Sequence, residues 1–318
     1  MLSFWARFTG NLTFVRIVVI IAAGFWGLFW IPLRALGDHG ISAAWGTVIF
    51  YLTPFVLMLP MAFLRRKKFR QGGWTLLATG FFFGVAMTLY ASAYFHTDVV
   101  RVLLLYYLLP VWGTLLGRVM LGEAITRLRI VAIILGFSGV LVIFGIGEGI
   151  PWPSNPGDWM ALIAGMLWAM GSVFAKGDET NEAFEVTLCF FGWSAVGGAA
   201  LLMFPQLGSF EAPSAETIAG ILPWMVPVAI FLVFPVSITI VWGSGILSPG
   251  HIAILFMSEI SVGVIAAVIL TDEPFGLREM LGVLLITAAG LCEATGHSFS
   301  GDRQSGAGAI DPAPPECP

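Results

Sequence analysis

The sequence predicts an all-α membrane protein: ten transmembrane helices, arranged as two inverted five-helix repeats. Three observations predict it. Ten mostly apolar stretches lie between Ile17 and His297, each close to the roughly 20 helical residues that cross a bilayer core about 30 Å thick. Only 11% of the 318 residues are charged and 58% are hydrophobic, with a mean hydropathy of +0.91; a soluble domain carries about 25% charged residues. Basic residues collect in alternate connections, as they do in multi-span proteins.

The expected spans are 17–36, 43–64, 74–95, 99–121, 129–147, 158–176, 184–204, 217–242, 248–270 and 277–297. The first follows Arg7 and Arg16. Its apolar run continues past Ala22-Ala23-Gly24 to Trp30, so it reads as a retained span rather than a cleaved leader. Short connections follow spans one, two and three. Longer ones occupy Gly147–Gly157 and Pro205–Glu216. The expected division is a cytoplasmic segment 1–16, repeats over 17–147 and 158–297, and a disordered tail 298–318 rich in Gly, Ala, Pro and Asp.

Arg65-Arg66-Lys67-Lys68-Phe69-Arg70 is the densest basic cluster, and it places the second connection in the cytoplasm. Counting through ten spans then puts both termini inside. Arg7, Arg16, Arg118, Arg127, Arg129, Lys176 and Arg303 fall on the same side; only Arg34, Arg101 and Arg278 fall on the other. The cluster is read as a topology signal, not a ligand site. Trp152 and Trp159 flank the fifth connection, where interfacial rings are expected.

A shift of 150 residues aligns Leu105 with Leu255, Gly113 with Gly263 and Glu123 with Glu273. Trp26-Gly27 resembles Trp168-Ala169, and Ser138-Gly139 resembles Ala289-Gly290. An odd number of crossings per half makes the second half enter from the opposite side. Inverted repeats of this kind are the usual build of secondary transporters.

The run from Val102-Leu103-Leu104-Leu105-Tyr106-Tyr107-Leu108-Leu109-Pro110-Val111-Trp112 to Leu121-Gly122-Glu123 resembles the fourth span of EamA-type members of the drug/metabolite transporter superfamily. Gly136–Val142 is similar to that family's fifth span, and Glu273 and Gly290 echo it in the second half. Ile260 stands where the second repeat often has proline, and Asp272 where glycine usually precedes the glutamate. The resemblance implies a ten-helix exporter with a central cavity lined by spans one to four and six to nine. It implies an amino acid or related zwitterion as cargo.

Glu259, mid-way along span nine, is the sharpest candidate: an acid at bilayer depth costs about 2.5–3.5 kcal/mol and marks function by default. It is expected to hold a substrate ammonium or a proton. Arg101 and His251 stand at pseudo-equivalent places near opposite mouths and are candidates for an anionic group. Trp26 and Trp30, and Tyr90 and Tyr94, are four apart and share helix faces. With Trp168 and Trp112 they are expected to supply aromatic walls for a cation. Gly113 and Gly117, matched by Gly263 and Ala267, are expected to let helices pack closely. Pro110 and Pro235 are expected to kink spans four and eight.

Three cysteines and four histidines show no metal-ligand spacing, and no phosphate loop or nucleophile elbow occurs. The expected partners are a small-molecule substrate, the lipid bilayer of the cell inner membrane and protons; no nucleic acid, metal or cofactor is expected, and the chain is a monomer or homodimer. An importer on the same fold, a channel and a lipid enzyme are the alternatives.

Overall fold

In hydrocarbon no water bonds to exposed amides, so a spanning segment has to satisfy its own backbone, and a helix does so within the segment. The computed structural model describes residues 11–93, 96–97, 102, 105–144, 153–203, 211–270 and 276–295, and among them no strand occurs. Span one is α1 (Leu12–Trp26) and α2 (Trp30–Asp38). Span two is α3 (Ala43–Leu64), followed by the short basic α4 (Arg66–Gln71). Spans three, four and five are α5 (Gly73–Ala93), α6 (Leu109–Leu121) and α7 (Arg127–Phe144). Spans six and seven are α8 (Pro156–Gly177) and α9 (Ala183–Leu201). Span eight is α10 (Ala215–Val228), a π turn over Ala229–Val233, and α11 (Phe234–Ile246). Span nine is α12 (Pro249–Leu255) and α13 (Ser258–Leu270), and span ten is α14 (Leu277–Thr295).

Leu12–Asp38, Ala43–Leu64, Gly73–Ala93, Pro156–Gly177, Ala183–Leu201 and Ala215–Ile246 are each long and apolar enough to cross a membrane. Large apolar side chains such as Phe63, Leu64, Val119, Phe231 and Ile269 point outward from the bundle. A lipid-facing surface explains that exposure; a water-facing one does not.

The packing obeys a two-fold rule. Spans two and seven, four and nine, and five and ten pack as mates of one another. The three–six contact is repeated by eight–one, and four–six by nine–one. Contacts between connections show that the halves are inverted. The second connection meets the sixth, through Arg65 and Glu182. The fourth meets the eighth, through Arg129 and Ser248. Thr97, in the third, meets Asp158 at the start of span six on the opposite face. Parallel halves would instead bring the second connection beside the seventh.

Proline positions fit this build. Pro110 stands in the first turn of α6, where a missing N–H leaves nothing unpaired, and Pro235 follows directly on the π turn, inside the unbroken helical run of span eight. Gly122 ends α6 in the left-handed region at φ 70°, a conformation that side chains with a Cβ resist. That turn carries Glu123 back toward Arg129, 3.4 Å from its Nη1.

Candidate functional site

Glu259 is placed by a break in its own helix. Phe256 and Met257 form a turn between α12 and α13, so Glu259 stands in the first turn of α13. The helix dipole favours negative charge there. Backbone bonds tighten through the turn: Glu259 N–H donates to Phe256 O at 2.9 Å and Ile260 N–H to Met257 O at 3.1 Å. Ile260 is not proline, so the break needs no ring.

Two further breaks adjoin it. Span one turns at Gly27–Phe29, and a Cβ on Gly27 would lie 2.4 Å from the Glu259 carbonyl oxygen. Span four turns at Tyr107-Leu108, and the 150-residue shift maps Tyr107 onto Met257. Broken helices meeting at depth are how membrane bundles expose backbone ends and side chains to a ligand.

The Glu259 side chain is buried, 7% exposed. Tyr90 donates its hydroxyl to Oε1 at 3.2 Å, and the buried Tyr107 lies close to the carboxylate. Tyr51 is buried within reach of its charge, and the Tyr106 ring packs on Tyr90 with centroids 4.2 Å apart. Tyr90, at the acid, thus continues into a run of packed rings through Tyr106 to Tyr107. A hydroxyl donor offsets part of the cost of burying a carboxylate.

Beside this group lies an aromatic wall. Trp26 meets its repeat mate Trp168 edge-on at 5.6 Å, and both meet Phe256, at 6.0 and 5.4 Å. Phe190 lies 6.1 Å from Trp168 and 5.8 Å from Tyr51, joining wall to tyrosines. Trp168 is fully buried, and its Nε1 has no hydrogen-bond partner among the described residues.

The sequence profile of the EamA-like transporter family matches this chain twice, over residues 13–145 and 155–292. The chain belongs to the EamA-like transporter family. The uncharacterized transporter YvbV of Bacillus subtilis (strain 168) is 28% identical over 188 residues, 57% of this chain and 58% of that protein; the chain thus spans less than two thirds of that relative's length. A solved structure titled only as a crystal structure of protein shares the fold with a TM-score of 0.66 at 15% identity, covering 88% of this chain and 97% of that one.

In this EamA-like transporter the expected residues divide into groups. Glu259, Tyr90, Trp26 and Trp168 come together. His251 does not join them. It lies two turns earlier in span nine, where Arg129 Nη2 donates to its Nδ1 and to Ser248 Oγ, both at 2.9 Å. Trp112 is half-buried against the core, and its Nε1 lacks a partner among the described residues. Gly113 packs on Pro249 of span nine, leaving 2.7 Å between a Cβ and the Pro249 carbonyl oxygen. Gly263 packs on Gly27 of span one, and Gly117 lies against the Glu123 carboxylate. Arg101 and Tyr94 lie outside the described residues, as does the side chain of Ala267.

Tyr51, Tyr107, Phe256 and Gly27 are members of the group that sequence reasoning did not single out. Tyr107 lay in the quoted span-four motif and Gly27 beside Trp26. Tyr51 carried no signal, because apolar spans two and nine show no pairing in sequence.

A polar clasp closes the face that carries α4. Arg65 Nε donates to Glu185 Oε1 at 2.7 Å and Nη2 to Glu182 Oε2 at 2.5 Å, and Lys68 also donates to Glu182. Asn181 Nδ2 donates to Gly72 O at 3.0 Å. Lys68 and Arg65 together hold the Glu182 carboxyl below the usual carboxylate range. Burial opposes the Arg65 charge, yet its bonds and charge contacts with Glu182 and Glu185 raise its pKa above the ordinary value.

Proposed function

We propose that this chain is a secondary transporter that moves a small organic metabolite bearing an amino group, an amino acid or related zwitterion, out of the cell by alternating access. The observation that carries the reading is Glu259: one buried carboxylate at the junction of three broken helices, bonded to Tyr90 and next to the aromatic group of Trp26, Trp168 and Phe256. An ammonium group fits it as a charge partner, and the rings of Trp26 and Trp168 supply apolar and cation–π contact. The unpartnered Trp168 N–H offers a donor to a substrate carboxylate oxygen, and Arg101, which the sequence puts at the start of span four, is a second candidate for it. The two inverted halves rock about this point, exposing it to one side and then the other. Protonation of Glu259 competes with the ammonium and couples transport to the proton gradient. The α4 face lies in the cytoplasm, with both termini, and the membrane is the cell inner membrane.

Purified protein in proteoliposomes tests this. Wild type shows saturable uptake of a labelled amino acid that is stimulated by counterflow, and Glu259→Gln abolishes it or removes its pH dependence at unchanged insertion. Uptake without counterflow points to a channel. Full pH-dependent exchange by Glu259→Gln rules out the assigned role of the acid.

A further inference from the structure

The basic segment after span two divides by face. At 100° per residue, Arg65, Lys68 and Phe69 share one side of the turn, and Arg66, Lys67 and Arg70 share the other. The first side is occupied: Arg65 and Lys68 hold Glu182 and Glu185, and Phe69 packs against the core. The second side is exposed, and its three cations have no carboxylate partner among the described residues. Arg66 lies over the Phe63 ring at 5.2 Å. Phe63, Leu64 and Trp74 flank the segment at 68%, 77% and 75% exposure. Large apolar side chains that exposed mark the bilayer boundary, with an indole at headgroup level. The cations therefore sit at the depth of lipid phosphates.

We infer that Arg66, Lys67 and Arg70 form a binding surface for anionic phospholipid headgroups, the phosphate being the recognised group. Charge complementarity carries the choice of occupant. Three cations fixed on one side of a short helix attract an anionic surface additively, and guanidinium groups take phosphate oxygens in pairs. The opposite side is tied to the sixth connection, so a bound lipid also steadies the clasp. None of this rests on the transport reading.

Native mass spectrometry of the full chain in detergent, titrated with equal amounts of phosphatidylglycerol and phosphatidylcholine, tests the surface. Wild type retains phosphatidylglycerol preferentially, and the preference weakens as salt rises. The triple variant Arg66→Gln, Lys67→Gln, Arg70→Gln loses it by ~100-fold, at about fivefold per side chain. Arg34→Gln, which removes an exposed cation of the opposite face, leaves it unchanged. These charges also set orientation, so Lys67→Gln alone provides a milder arm with about a fivefold loss. Undiminished preference in both variants overturns the proposal. So does equal competition by free inorganic phosphate, which would mark a site for a soluble anion.

Discussion

At Gly27 the space for a side chain is already filled. An added methyl would sit 2.4 Å from the Glu259 carbonyl oxygen and 3.1 Å from the Gly263 nitrogen, both rigid backbone atoms. Gly27→Ala is expected to push spans one and nine apart, cost about 1–3 kcal/mol and lower the apparent Tm of the purified protein. Transport falls with it, because the displaced backbone is that of Glu259. An unchanged Tm would contradict this contact. Tyr90 acts differently, since it gives its hydroxyl to the acid. Tyr90→Phe keeps the ring stacked on Tyr106 and removes only the donor. It is expected to weaken substrate binding several-fold with little change in Tm, measured as KM for exchange.

Among elements, the clasp between the second and sixth connections is the most exposed to test. Glu185 is 1% exposed and bonded to Arg65, so removing Arg65 strands it, whereas Arg65 keeps Glu182 when Glu185 is removed. Breaking a buried pair from one side costs about 3–5 kcal/mol, reduced here because Arg65 is partly in water. Arg65→Ala is expected to lower Tm clearly, and the double variant with Glu185→Ala to lower it by less than the sum. Glu182 gives the clasp a pH dependence. Its pKa is depressed by Lys68 and Arg65, so its contribution is present above the unfolded carboxylate pKa and is lost as pH falls through the lower folded value. Stability of wild type is therefore expected to drop in acid more steeply than that of Glu182→Gln, followed by thermal unfolding across pH.

For the molecule as a whole, spans five and ten form one of the seams between the two halves. Gly139 closes it: a Cβ there would lie 2.7 Å from the Gly282 carbonyl oxygen. Gly139→Leu is expected to part the halves and lower Tm, while Gly290→Leu is tolerated, because a Cβ there meets nothing within 4 Å. Sequence order pairs those two glycines as repeat mates, yet only one is at the contact. The difference shows where reading the chain stops. Length and apolarity of the spans settled a helical membrane bundle, since lipid leaves a backbone no other partner, and odd-numbered halves with alternating basic connections settled the inversion. Glu259 was legible for the same reason: an acid among apolar residues carries its cost openly in the sequence. What surrounds the acid was not legible. Apolar spans carry little periodicity to say which side faces a neighbour, so the meeting of Tyr51, Tyr90 and Tyr107 near one carboxylate, the touching of Gly27 and Glu259, and the division of the basic segment into a bonded and an open face were decided only by tertiary packing.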